Sequence, residues 1–141
     1  MLPGSEMVRS DAVVVGYDGS PRAAAALAWA INEAREHGGH VVAVVAWHHS
    51  ALVPGGRGRH EAEHAAEEVA SQARSELNDA GAEGEVRIVE GDAAMVLLEA
   101  SQLARMLVLG EPHHGLGRIG SVARRCQADA ACPVQLVGDD G

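Results

Sequence analysis

The stretch MLVLGEPHHGLGRIGSV, residues 106–122, joins a short apolar run to a glycine-rich loop and then to the start of a helix. Its four opening apolar residues suit a buried strand and are too few to span a membrane. Gly110 then lets the chain turn, and Gly120-Ser121-Val122 opens a helix whose first backbone N–H groups point back towards the strand. Free amides and the helix dipole favour negative charge, so the pattern predicts a phosphate site. A loop that simply turns tightly is the alternative.

The composition is that of a globular domain with few aromatic side chains. The 141 residues, 47% hydrophobic and 22% charged, are expected to form one domain, 11–138, behind a flexible leader, 1–10. A net charge of −9 repels polyanions, and two Trp, one Tyr and no Phe offer no stacking platform, so nucleic-acid binding is not expected. Residues 1–10 do not resemble a signal peptide and no apolar run is long enough to cross a bilayer. Both features predict a cytoplasmic protein without a membrane partner.

Five apolar runs alternate with segments of helical periodicity along the chain. The runs are mostly continuous in hydrophobicity, as in strands that are covered on both faces. This order predicts an α/β three-layer sandwich with a five-stranded, mainly parallel sheet and right-handed crossovers. Ligands of such sheets bind beyond the carboxyl ends of the strands, where the strand order reverses. The predicted strands are 12–17, 41–47, 85–90, 106–109 and 132–137.

Several helix boundaries carry local signals. Ser20 is a good N-cap and Pro21 a good first helical residue, and Asp92 is predicted to cap the third helix. The second helix is expected to follow a loop at 48–58 and to reach about residue 80, and the fourth to span 120–130. The first helix is expected to end at residues 38–39. Its predicted inner face comprises Ala24, Leu27, Ala28, Ile31 and Ala34.

Three stretches, taken together and in order, resemble the universal stress protein family. They are VVVGYDGSP (13–21), IVEGDAA (88–94) and the block from Leu107 to Val137, which includes GRIGSVARRCQADAACPVQLV. The resemblance implies a sheet ordered 3-2-1-4-5, of the adenine nucleotide alpha hydrolase type, in a cytoplasmic protein that binds ATP. It also implies a homodimer that pairs through the last strand. An apolar edge at Val134–Val137 would need such cover, and Pro133 fits an edge position.

The same resemblance assigns roles to residues at the predicted carboxyl edge. Asp18 would contact the ribose or the adenine, and Ala46 and Leu109 would line the adenine pocket. The helix start at Gly120-Ser121-Val122 would hold phosphates. The predicted function is an adenine-nucleotide-binding sensor or regulatory module. The candidate site residues are Gly16, Tyr17, Asp18, Ala46, Leu109, Gly110, His113, Arg118, Gly120, Ser121 and Val122.

The glycine loop departs from the pattern of the family's ATP-binding members, which is Gly, two residues, Gly, nine residues, then Gly-Ser or Gly-Thr. Gly110 and Gly120-Ser121 match the ends of this pattern. His113 replaces the middle glycine, and six residues separate it from Gly120. A shorter loop with a side chain at that position would exclude a triphosphate. The alternative function is therefore a dimeric interaction protein that has lost ATP binding.

Three of the candidate residues have a second interpretation, and Arg118 has one only. Asp18 could be a turn residue that bonds its own backbone, and Ser121 could be a helix cap. Arg118 is the strongest candidate for a phosphate contact because it lies in the loop itself. His113 is interpreted as lining the cleft and neutralising phosphate when protonated, or as an exposed loop residue.

Neither catalysis nor metal binding is predicted. The chain has no Lys and no nucleophile elbow, so weak ATP hydrolysis is the one enzymatic option left open. Adjacent histidines, such as those at 48–49 and 113–114, point in different directions and no cysteine joins them, which argues against a zinc site. Cys126 and Cys132 are interpreted as reduced thiols.

Overall fold

The computed structural model of the chain describes residues 11–48, 58–111 and 120–138. Strands and helices alternate in these residues in the predicted order. The predicted leader, residues 1–10, lies outside them. The strands are β1 (Ala12–Gly16), β2 (His40–Trp47), β3 (Gly84–Glu90), β4 (Met106–Gly110) and β5 (Val134–Val137). The helices are α1 (Pro21–His37), α2 (Arg59–Asp79), α3 (Ala93–Ser101) and α4 (Ser121–Asp129).

The sheet has the order β3-β2-β1-β4-β5, and each neighbouring pair is parallel. The strand order that the family resemblance implied is therefore confirmed. In the centre, Val14 of β1 aligns with Val42 of β2 and with Leu107 of β4. Side chains alternate along a strand, so β1 supplies both halves of the core. Val13 and Val15 pack with α1 and α2 on one face, and Val14 packs with α3 and α4 on the other.

Helix α1 begins at Pro21, as the sequence predicts, but buries a different set of alanines. Leu27 and Ile31 are buried as expected. Ala24 is only partly buried and Ala28 is exposed, so the predicted inner face is wrong at these two positions. The alanine-rich run offers little contrast in hydrophobicity, and the contact with the sheet decides which alanines face inward. The buried alanines of this helix are Ala23, Ala26 and Ala30.

Gly110 is the last residue of β4 and aligns with Val137 of β5, so the prediction of a turn at Gly110 is wrong. The amide of Glu111 donates to the carbonyl of Val137 at 2.8 Å, which extends the pairing by one residue. A Cβ atom on Gly110 would lie 2.7 Å from the carbonyl carbon and oxygen of Arg22 in α1. A glycine is therefore needed here because the end of β4 approaches the backbone of α1 closely.

β5 is the edge strand of the sheet, as the sequence predicts, although it begins at Val134 and not at residue 132. The carbonyl of Pro133 accepts a hydrogen bond from the amide of Leu107 at 2.9 Å. The missing N–H of Pro133 costs nothing at this position. In the part of the chain that the structure describes, no helix is both long enough and apolar enough to cross a membrane.

Candidate functional site

A cavity of about 340 Å³ lies at the carboxyl edge of the sheet, beside the ends of β1 and β4. These neighbouring strands are followed by helices on opposite faces, α1 after β1 and α4 after β4. The edge between them is where the strand order reverses. His113 and Arg118 lie outside the described residues. The other nine predicted site residues all line the cavity: Gly16, Tyr17, Asp18, Ala46, Leu109, Gly110, Gly120, Ser121 and Val122.

One wall of the cavity is apolar. Leu97 of α3 and Leu109 of β4 lie next to Gly16 at the end of β1. A Cβ atom on Gly16 would come within 2.7 Å of Cδ2 of Leu109 and 2.9 Å of Cδ1 of Leu97. Ala46 of β2 adds a second small residue to this wall. The lack of a side chain at Gly16 lets the two leucines pack against the end of β1, and together with Ala46 they form an apolar surface on this side of the cavity.

The phenol of Tyr17 has a structural role on the opposite face of the sheet. Its ring packs in the core with α1 and α2, where the side chain is 4% exposed, and its hydroxyl donates to Glu76 of α2. Burial and this hydrogen bond raise the pKa of Tyr17 well above its usual range. Its backbone amide donates to the carbonyl of Val44 at 2.9 Å. The hydrogen-bond donor of the phenol is therefore already used by a residue of α2.

The Asp18 carboxylate forms the turn that the sequence offered as its alternative role. Its Oδ1 atom accepts a hydrogen bond from the amide of Ser20 at 3.0 Å, and Gly19 between them has a φ of +83°. This is the hydrogen-bonded turn that Asp-Gly sequences favour. Asp18 is exposed and lines the cavity, and Oδ2 accepts no hydrogen bond from the described residues while Oδ1 holds the turn.

The amino end of α4 faces the cavity without a side-chain cap. Gly120 is the N-cap, with φ −63° and ψ 158°, and no side chain of the described residues caps the first amides. Ser121 is the first helical residue, so its alternative interpretation as the cap is wrong. By contrast, Ser20 caps α1 and Asp92 caps α3 through their side chains. The first turn of α4 thus presents amide donors and a positive dipole end to the cavity.

The cavity also contains residues that the sequence did not single out as site residues. Arg22, in the first turn of α1, is a half-buried residue of the lining and the one lining residue among those described that carries a positive charge. Its position two residues after the Ser20 N-cap was a usable signal, because the start of α1 follows β1 directly at the same edge. The other lining residues that were missed are Ser20, Ala23, Val44, Ala93, Leu97 and Ala123.

Other reactive side chains lie apart from this cavity. No group of three metal-ligating side chains exists among residues 11–48, 58–111 and 120–138. His64 pairs with Glu68 on the exposed face of α2 at 3.0 Å, while His49 and His114 lie outside the described ranges. Cys126 and Cys132 are free thiols, and burial raises the pKa of both. Protonated, partly or fully buried thiols are poor nucleophiles.

The model of the universal stress protein family matches residues 10–138 of this sequence. The chain belongs to the universal stress protein family. A solved universal stress protein from Archaeoglobus fulgidus is 30% identical, with a TM-score of 0.74 over 97% of this chain and 99% of that one. A structure of the Archaeoglobus fulgidus universal stress protein in complex with dAMP is 31% identical, with a TM-score of 0.71 over 93% of this chain and 99% of that one.

Curated relatives of this universal stress protein domain are longer than the present chain. A universal stress protein from Mycobacterium tuberculosis is 34% identical in an alignment of length 137, which covers 89% of this chain and 48% of the relative. The chain therefore spans about half the length of the curated relatives it matches. The comparison with these relatives therefore concerns only the domain that they share with this chain.

Proposed function

We propose that this universal stress protein binds an adenine nucleotide, with ATP as the predicted ligand, in the cavity between β1 and β4 and acts as a regulatory module. The observation that carries the proposal is the uncapped start of α4 at Gly120, which directs amide donors into a cavity with an apolar wall. A nucleotide needs both features, because its base is flat and largely apolar and its phosphates are anionic. The dAMP complex of the Archaeoglobus fulgidus relative supports the same ligand class.

In this proposal the base lies against the apolar wall at Gly16, Ala46 and Leu109. Asp18 contacts the ribose or the base through Oδ2. The amides of the first turn of α4, at Gly120-Ser121-Val122, hold a phosphate. His113 and Arg118 are proposed to complete the phosphate contacts from the loop outside the described residues.

The proposed role is binding and signalling in the cytoplasm, without turnover. Among the described residues that line the cavity, Asp18 is the one carboxylate, and its Oδ1 already accepts the Ser20 amide. The phenol hydroxyl of Tyr17 donates to Glu76. Neither group is set up as a general base for attack on a phosphate.

Calorimetric titration of nucleotide-stripped protein with ATP and AMP tests the proposal. We expect binding in the micromolar range, and we expect Ser121→Pro to weaken it about tenfold, the cost of one charge-assisted hydrogen bond. Proline fits this first helical position, since the dihedral angles of Gly120 are those that precede a proline. The matched control is Ser121→Ala, which removes the hydroxyl but keeps the amide and should bind within about twofold of wild type.

Folded protein that binds neither nucleotide at millimolar concentration would contradict this function. The alternative, an interaction protein that has lost nucleotide binding, would then stand. Equal losses for Ser121→Pro and Ser121→Ala would assign the contact to the hydroxyl and not to the helix amides.

We further propose that the protein is a homodimer joined along β5. The carbonyls of Pro133 and Val137 accept amides of β4 and its extension, so the alternate residues Val134 and Leu136 direct their backbone groups to the open edge. All residues of β5, Val134–Val137, are only half-buried within one chain. A second copy that pairs with this edge would cover them.

Replacing Val134 with proline is expected to convert the dimer to a monomer, because it removes an outward N–H and leaves the pairing with β4 intact. Val134→Ala, which keeps that N–H, should remain dimeric. Analytical ultracentrifugation of both variants measures the result. A Val134→Pro protein that sediments as a dimer would show that the subunits meet elsewhere.

A further inference from the structure

We infer that Arg22 binds the phosphate group that is attached directly to the nucleoside, so that it makes the site prefer nucleotides to nucleosides. The inference rests on the proposed function, because it assumes that a nucleotide occupies the cavity. It adds a ligand-binding residue from α1 to a phosphate site that the sequence places at the glycine loop and α4.

Close packing fixes the position of the Arg22 backbone and of its Cβ atom. Gly110 lies against Arg22 so tightly that an added Cβ would be 2.7 Å from its carbonyl carbon and oxygen and 2.8 Å from its Cβ. Ser20 caps the same turn through its bond with the amide of Ala23 at 3.1 Å. The first turn of α1 is thus held between its cap and the end of β4. A side chain that leaves a fixed turn loses less conformational freedom when it binds a ligand.

Arg22 also lacks an anionic partner in the residues that the structure describes, although it is half-buried. Arg59 pairs with Glu90 at 2.7 Å, and Arg105 pairs with Glu33 at 3.1 Å. Arg74 and Arg124, which also have no such partner in these residues, are exposed and are solvated by water. An arginine that is half-buried loses part of its hydration, and a bound anion compensates for that loss.

Two features that favour anions therefore meet in one cavity. Arg22 lines it from α1, and the uncapped amides at Gly120 and Ser121 line it from α4. A volume of about 340 Å³ is near the lower end of the range for small-molecule pockets, so a phosphate held by both helices lies close to the nucleoside. A planar guanidinium matches two phosphate oxygens at once. The Arg22 contact is consequently placed on the phosphate that is bonded directly to the nucleoside.

The test compares the affinities of adenosine, AMP and ATP for wild type, Arg22→Gln and Arg22→Lys. We expect Arg22→Gln to weaken AMP and ATP by at least about tenfold and to leave adenosine within about twofold. Arg22→Lys should recover part of the loss, because it restores the charge without the planar fork. Arg74→Gln is the matched control: it removes one exposed arginine of α2, changes the net charge equally and should bind all three ligands like wild type.

The outcomes separate the inference from the function on which it rests. A wild-type protein that binds none of the three ligands overturns both. Normal wild-type binding together with an equal loss of adenosine, AMP and ATP in Arg22→Gln overturns only the inference, since it gives Arg22 a structural role. A loss for ATP without a loss for AMP also overturns it, because the contact would then be with a later phosphate.

Discussion

Gly110→Ala is expected to lower the free energy of unfolding by about 2–3 kcal/mol, near the upper end of the cost of overpacking a protein interior. The new Cβ would lie 2.7 Å from backbone atoms of Arg22, a separation that real Cβ atoms do not show. A flexible side chain could rotate away, but a backbone carbonyl can move only if β4 and the first turn of α1 separate. Chemical denaturation with urea, followed by far-UV circular dichroism, measures the change.

The same substitution is expected to weaken AMP binding, because the first turn of α1 carries Arg22 and borders the cavity. The matched control is Gly58→Ala, at the N-cap of α2. That glycine has a φ of −68°, and no heavy atom of the described residues lies within 4 Å of an added Cβ, so the expected loss of stability is below about 1 kcal/mol. Gly110→Ala protein with wild-type stability would show that β4 and α1 can separate at little cost.

The alternation of apolar runs and helical periods was sufficient to predict the five strands, the four helices and the caps at Ser20 and Asp92. These signals are local, so a single sequence contains them. The order of the strands is not local, and it came from the resemblance of three stretches to a family. Nine candidate residues meet in one cavity because the carboxyl ends of parallel strands share an edge, which follows from the topology.

What the sequence did not reveal depends on contacts between distant segments. Gly110 was interpreted as a turn glycine, but its requirement for glycine comes from Arg22, far away in the chain. Ala24 and Ala28 could not be distinguished from the buried alanines of α1, because alanines differ only in what packs on them. Arg22 itself was missed, since nothing in a linear sequence shows that an arginine is half-buried and without an anion.

The second large effect is expected at alkaline pH, where the wild type loses stability that Tyr17→Phe does not lose. The pKa of Tyr17 is raised in the folded protein, mainly by burial and then by the hydrogen bond with Glu76. The folded protein therefore retains a proton that the unfolded chain releases near pH 10. This contribution is fully present below about pH 10 and is lost as the pH rises towards the folded pKa, with a slope of up to about 1.4 kcal/mol per pH unit.

Urea unfolding of both proteins between neutral pH and pH 11 measures this difference. At neutral pH we expect Tyr17→Phe to be less stable by about 1 kcal/mol, because Glu76 loses its donor. Above pH 10 the two curves should converge. The pKa values of the Cys126 and Cys132 thiols are also raised, so stability is lost in the same direction as the pH rises, beginning at a lower pH. Both proteins share this loss.

The titration of Tyr17 can also be observed directly, since it is the single tyrosine of the chain. When the folded protein is titrated with base, the ultraviolet absorbance of tyrosinate should appear only well above pH 10. Its appearance should coincide with unfolding. The chain has no lysine, so lysine deprotonation adds nothing to the alkaline transition. A folded protein whose tyrosinate signal appears with a midpoint near pH 10 would contradict the burial of the phenol against α2. It would also contradict the structural role assigned to the Tyr17 phenol. The phenol would then again be a candidate for contact with the ligand.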